Sequence, residues 1–408
     1  MLIVVRALYV TAVLAVSVST ALAYDHLATA QPVPTPEMPR PGYLQSVTDP
    51  AFGTPFTRVT DPGGQVLPTA SCSPDYCTHR YATSQAWNAD QSLLLIVNGC
   101  QEACSLFLDG RNFAPVFQRI VPNECEWHPT DAALMICADR NEIYTWAPRT
   151  DTKNVVYAPN GYRGFQFGPY KGNPSKDGKR LVVRATNAEG TMVAFAYDIH
   201  ARMKYPDIDL TKLTGTNSYC SISPSGEYIF CFQEMPDETN ESYIFTVRGA
   251  QIQHWTGNHR PGHGDMTIDP DGSDVYVGIS KADPDKYHVI KRRLRDGKVT
   301  DLAPYGEGQH ASIRSINRPG WVFLTYTGTY AEITEHPDWA PFYQEVVALR
   351  IDGSGEIRRI VQTRAAKHDY WSEAHASPSP DGSQVIWSSN WGQAGDPVAD
   401  YVAELRWP

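Results

Sequence analysis

Two short phrases set a histidine into the same local pattern: Gln309-His310-Ala-Ser and Glu373-Ala-His375-Ala-Ser. A third phrase, Asn258-His-Arg-Pro-Gly-His-Gly-Asp, carries His259, Arg260, His263 and Asp265. Imidazole and carboxylate donors are the ligands of Zn²⁺ or Mn²⁺, and added carbonyl oxygens would shift the preference toward Ca²⁺. His263, Asp265, His310 and His375 are therefore the expected ligands of a divalent cation, which either pins the structure or shares in chemistry. Arg80, His259, Arg260 and Glu373 are expected to contact a substrate. A lone loop histidine more often faces water or satisfies a backbone group. Recurrence at one position of a repeat argues instead for a cluster.

The repeat is carried by turns. Ser-Pro-Ser-Gly-Glu-Tyr occupies 223–228, Asp-Pro-Asp-Gly-Ser 269–273 and Ser-Pro-Asp-Gly-Ser 379–383. Pro presets φ, Asp or Ser closes the bend, and Gly accepts positive φ. Each turn separates two β-rich runs, and the spacing of about 45 residues is that of a β-propeller blade. Asp265 and His375 each stand six residues before the third residue of such a turn. In a propeller the loops leading into the innermost strands share one face, so residues far apart in sequence converge there.

Seven β units follow from Gln85 to the C-terminus, and long amphipathic helical patterns are absent. The expected fold is all-β: a seven-bladed β-propeller of four-stranded antiparallel blades over residues 46–408. Pro55-Phe-Thr-Arg-Val-Thr-Asp precedes the first unit and is placed to complete the last blade, removing an exposed edge. Residues 24–45 are Pro-rich and read as an arm or linker. Residues 1–23 read as a secretory signal peptide ending Ala21-Leu22-Ala23. The chain is thus expected to be secreted, extracellular or periplasmic, soluble and a monomer.

The eight cysteines agree with an oxidising compartment. By spacing they pair as Cys72/Cys77, Cys100/Cys104, Cys125/Cys137 and Cys220/Cys231, and the last two pairs would bridge neighbouring strands of one blade. A formal charge of −10 argues against nucleic acid as a partner. It leaves room for an anionic sugar in a local cationic pocket. The 10 Trp and 22 Tyr are read first as core residues, although such rings also stack on sugars.

Weaker candidates lie in the early blades: His79-Arg80-Tyr81 before the first inner strand, Asn160-Gly-Tyr162-Arg163 before the third, and Tyr144 in the second. His128 sits at a turn and reads as structural.

The organisation resembles the secreted seven-bladed propeller polysaccharide lyases, the ulvan and rhamnosyl-glucuronate lyases, and more distantly oligogalacturonate lyase. The likeness rests on His79 to Trp87-Asn-Ala-Asp, Gly262-His-Gly-Asp, Gln309-His-Ala-Ser and His375-Ala-Ser-Pro-Ser-Pro-Asp-Gly. It implies β-elimination at a uronic acid within an acidic polysaccharide or oligosaccharide. That chemistry needs the carboxylate neutralised, a base for the C5 proton and an acid for the leaving oxygen. On this resemblance His79 would be the base, Tyr144 or Tyr162 the acid, and Arg163 would help neutralise the carboxylate. The ulvan lyases use a further histidine in the first blades, where this chain reads Asn98-Gly-Cys-Gln-Glu-Ala-Cys. Two other functions remain open: a glycoside hydrolase using Glu373 with Asp265, or a non-catalytic TolB-like binding propeller.

Overall fold

A computed structural model describes residues 31–100, 104–122, 124–167, 174–237, 239–257, 259, 261–304, 308, 310–328, 330–336 and 341–407. The expected signal peptide, the start of the arm, Arg260 and Gln309 lie outside the described residues. The fold is the seven-bladed β-propeller. Blades two, four, five and six are four-stranded antiparallel sheets in chain order. They run Cys125–Trp127 to Thr152–Tyr157, Thr216–Ile222 to Gln251–Trp255, Gly262–Ile268 to Val299–Ala303, and His310–Ser312 to Ile357–Gln362. Blade three starts at Arg163–Gln166. Blade one holds Leu93–Ile96, Ser105–Asp109 and Pro115–Arg119, with its inner edge marked by the bridge Trp87↔Leu94.

The recurrent turns behave as their composition demands. Gly226, Gly272 and Gly382 have φ of 78°, 83° and 70°. Each donates its N–H to the carbonyl that opens the turn, at 2.8 to 2.9 Å. A side chain at this φ would be strained, so Gly fixes the tight link between the first two strands of a blade.

Blade seven closes the ring. Its strands Ser377–Pro378, Gln384–Ser389 and Val398–Glu404 are followed outward by Pro55–Arg58 from the N-terminal side, with Phe56 opposite Ala403. Phe56 is buried against Trp387, ring centroids 5.6 Å apart. Burying such a side chain is worth roughly 1.5–3 kcal/mol, so the closing strand is held by packing as well as by its ladder. Beyond it, Val59 N–H donates to the Asp400 carbonyl at 2.9 Å and Asp400 N–H to Thr60 Oγ1 at 2.8 Å.

The core lies between blades, where alternate residues of adjacent sheets meet; Trp87, Trp255 and Trp387 are fully buried. All four expected disulfides are present, and Cys125–Cys137 and Cys220–Cys231 join directly opposed residues of neighbouring strands. Such bonds persist in oxidising, non-cytoplasmic compartments. Among the described residues no helix is long and apolar enough to cross a membrane.

Candidate functional site

The loop into blade seven builds the centre of the site. Asp369 caps a short 3-10 turn, Tyr370–Ser372, and closes a reciprocal capping box with Ser372. Glu373 leaves this turn with its carboxylate between three cations or potential cations. Oε2 lies 2.9 Å from His310 Nε2 and 3.3 Å from His375 Nε2, and Oε1 lies 2.9 Å from Lys367 Nζ. Burial alone would raise this carboxyl; the hydrogen bond to His310 and the close contacts of His375 and Lys367 outweigh it and hold Glu373 far below the usual carboxylate range. His375 shifts the other way: burial disfavours its charge more than Glu373 favours it, so it stays neutral to a lower pH.

One ligand atom from each of His310, Glu373 and His375 lies within 4.8 Å of the others, and all three residues are buried. His375 Nε2 is near Glu373 yet makes no hydrogen bond to it, and this buried ring nitrogen has no hydrogen-bond partner among the described residues. An orphaned acceptor beside a carboxylate and a second imidazole fits a cation bound by two nitrogens and one oxygen. That donor set suits Zn²⁺ or Mn²⁺ better than the all-oxygen shell of Ca²⁺. His263 stands at the rim, exposed, with its ring 5.3 Å from that of His310. His263 and His375 both adopt left-handed backbone, φ 47° and 48°, a conformation uncommon for residues with a side chain and one that concentrates at functional sites.

Asp265 is not part of this triad. Its carboxylate takes a two-point ion pair from Arg314, with Nε and Nη2 each at 2.8 Å, and also accepts the Ile313 N–H at 3.2 Å. The reason is an irregularity in strand register between Gly262 and Asp265. The extra residue brings His263, not Asp265, beside His310. Glu373 takes the carboxylate's place in the triad, moving from the substrate-contacting role expected for it. The hydrolase pairing of Glu373 with Asp265 loses its second member to Arg314. His259 is exposed, and its backbone carbonyl accepts from Arg292 Nη1 at 2.6 Å.

His79 is also placed differently from expectation. It is 3% exposed. Its Nδ1 faces Asp400 at 3.0 and 3.1 Å, and its Nε2 meets the His375 carbonyl at 2.9 Å. Both partners are acceptors, so both ring nitrogens donate. An imidazolium locked in this way has no lone pair for a substrate proton. It positions the His375 loop instead. Tyr144 is buried in the core between blades one and two, with Lys153 Nζ 4.1 Å from its ring centroid. Burial, with Asp139 and Glu142, pushes its hydroxyl up to about 12. Tyr162 donates to Asp207 at 2.8 Å. Burial and that bond push it up to about 12 as well. Arg163 is exposed at the start of its strand. None of these three lines the large cavity.

That cavity, of about 700 Å³, is lined by Tyr81 and Tyr370, whose rings stand against His310 and His375; the triad residues themselves do not line it. Arg80 lies on its wall, Nη1 3.3 Å from the Cys125 carbonyl and 3.5 Å from Glu126. Glu124 and Glu126 share that wall; burial raises both carboxyls, against the pull of Arg80. Tyr81, Tyr219, Tyr370 and Trp371 supply aromatic surface. Tyr81 links cavity to triad, its hydroxyl 3.1 Å from His310 Nδ1. Burial first, then neighbouring Tyr370, Tyr276 and Glu373, raises that phenol well above its ordinary value. Sequence reasoning named Tyr81 only within the candidate stretch His79-Arg80-Tyr81, with no role of its own, and passed over Glu124 and Glu126. Each lies in a loop or strand leading into an inner blade position, so the rule that found His310 would have found them.

No protein-family model matches the chain, and no curated protein does. Solved structures do. The chain is similar to an oligogalacturonate lyase from Vibrio parahaemolyticus, with a TM-score of 0.59 and 12% identity over 89% of this chain and 96% of that one. It is similar to an oligogalacturonate lyase in complex with manganese, with a TM-score of 0.59 and 16% identity over the same shares. It is also similar to the Pan2 WD40 domain of Neurospora crassa, with a TM-score of 0.50 and 12% identity over 86% of this chain and 96% of that one. Likeness this distant reaches both lyases and a WD40 domain, and what it shows is the propeller fold.

Proposed function

We propose that this chain is a secreted polysaccharide lyase that cleaves a uronate-containing glycan by β-elimination. The observation that carries the reading is the buried His310–Glu373–His375 triad beside a cavity of about 700 Å³ that holds an arginine and several aromatic rings. A cavity of that size suits one or a few sugar rings. The oligogalacturonate lyase neighbours, one of them in complex with manganese, lend support through a shared fold.

A divalent cation held by His310, Glu373 and His375 would neutralise the uronate carboxylate and so acidify the C5 proton. Arg80, on the cavity wall, binds and orients the anionic substrate. His263, the exposed imidazole of the cluster, accepts the C5 proton. The C5–H electrons form the C4–C5 double bond as the C4–O bond breaks. Tyr81, kept protonated by its raised pKa, gives its proton to the departing glycosidic oxygen. His79 positions the loop that carries His375.

Ultraviolet absorbance of the conjugated, unsaturated uronate product tests this reading on a panel of uronate polysaccharides. Absorbance that rises with enzyme supports elimination.

One observation favours a second reading, glycoside hydrolysis. Glu124 and Glu126 both line the cavity with raised carboxyls. New reducing ends without new absorbance would select that reading. No product from any glycan would leave a binding propeller.

A further inference from the structure

The Tyr370–Trp371 step at the cavity is better ordered than an exposed turn requires. Tyr370 is 45% exposed, the largest side chain open to solvent in the loop into blade seven. Its backbone is fixed by the Asp369–Ser372 capping box, and His368 N–H adds a bond to Ser372 Oγ at 2.7 Å. The ring lies nearly parallel to Tyr81, 8° between planes and 6.3 Å between centroids. It also rests against His375 at 4.8 Å. Trp371 is stacked on Tyr76, 4.7 Å apart at 4°. Both residues line the cavity. Arg80, Glu124 and Glu126 line the same cavity. The cavity thus offers both charged groups and an aromatic shelf.

We propose that Tyr370 is a sugar-stacking residue, its ring taking the C–H face of a pyranose next to the one that reacts. This rests on the glycan-active reading of the site. A ring face presents polarisable apolar area at little entropic cost, and the capping box removes most of the remaining freedom of the backbone before ligand arrives.

The test compares the full chain with Tyr370→Ala and Tyr370→Phe on a size series of oligosaccharides cut from whichever polymer is turned over. Tyr370→Ala should raise KM about tenfold, the scale of one lost stacking contact, with kcat within about twofold. The effect should vanish on the shortest substrate, which cannot reach the shelf. Tyr370→Phe should restore KM, because the ring and not the hydroxyl is used. Equal KM for Ala and native protein across the series would overturn the proposal. So would a fall in kcat that Phe does not rescue. Trp371 fluorescence separates the two ideas: quenching of the native protein by oligosaccharide, unchanged in Tyr370→Ala, defeats the shelf and spares the glycan reading. No quenching and no turnover with any glycan defeats both.

Discussion

Asp400 receives both the backbone N–H and the ring Nδ1 of His79, two residues 321 positions apart in the chain. Ser388 Oγ adds a third bond to the same carboxylate at 2.8 Å. Removing one partner of a buried ion pair leaves the other charge uncompensated, at a cost of about 3–5 kcal/mol. His79→Ala should therefore destabilise the fold by about that amount in urea unfolding. A loss under about 1 kcal/mol, the scale of an exposed pair, would show that the pair carries no such weight. The pH dependence has a definite sign. Burial lowers the His79 pKa, but the charge and hydrogen bond of Asp400 and the bond to His375 outweigh it and raise the folded value. The stabilisation is then complete below the unfolded pKa of about 6.5, and is lost as pH rises through the higher folded value. In His79→Gln that decline with pH should disappear.

The triad makes a prediction about metal. Purified protein dialysed against Zn²⁺ or Mn²⁺ should retain close to one equivalent, measured by elemental analysis. His310→Ala and His375→Ala should each lower it together with activity, and Asp265→Asn should not remove it. Unchanged stoichiometry in both histidine variants would rule out coordination there. Retention should fall with acid as His375 protonates, below the ordinary imidazole range because burial disfavours its charge, while Glu373 itself stays ionised to far lower pH.

Tyr81→Phe keeps the ring contacts with His310 and Tyr370 and removes only the proton donor. It should lower kcat about 10²- to 10⁴-fold, the usual range for one general acid, with melting temperature little changed. Tyr144→Phe and Tyr162→Phe should leave turnover within about twofold of native, well short of that range. Full activity in Tyr81→Phe, or loss of it in either of the others, would return the acid's role to the residues first expected to fill it.

Cys220 and Cys231 face each other across strands and close a loop with a sequence separation of 11. Chain-entropy arguments put the stabilisation of such a loop at about 3 kcal/mol. The double variant Cys220→Ser/Cys231→Ser should unfold at correspondingly lower urea, with activity at low temperature retained because neither cysteine belongs to the triad or lines the cavity. An unchanged midpoint would show that the strand ladder alone holds this blade.

Much of this architecture was legible because it repeats. The Pro-and-Gly turns, the strand-spanning cysteine pairs and the closing Pro55–Arg58 strand are local signals whose meaning multiplies when they recur. His310 and His375 were found in the same way, and they do meet. Asp265 misled because one residue of irregular register is invisible in a sequence and exchanges it with His263. His79 misled because the same imidazole serves as a base or as a buried cation according to what faces it, and Asp400 is 321 residues distant. Tyr370 and Trp371 gave no signal at all: in a chain with 32 Trp and Tyr, the two that line a cavity look like those that fill the core.

The strand that shuts the ring also finishes the site. Thr60, just past Pro55–Arg58, grips the main chain of Asp400, whose carboxylate orients His79, which in turn props the carbonyl of His375. A nascent polypeptide holds residue 60 long before residue 400 has been synthesised. Blades can form one after another during translation, but the complete site arrives in a single late event, when the first-made edge meets the last.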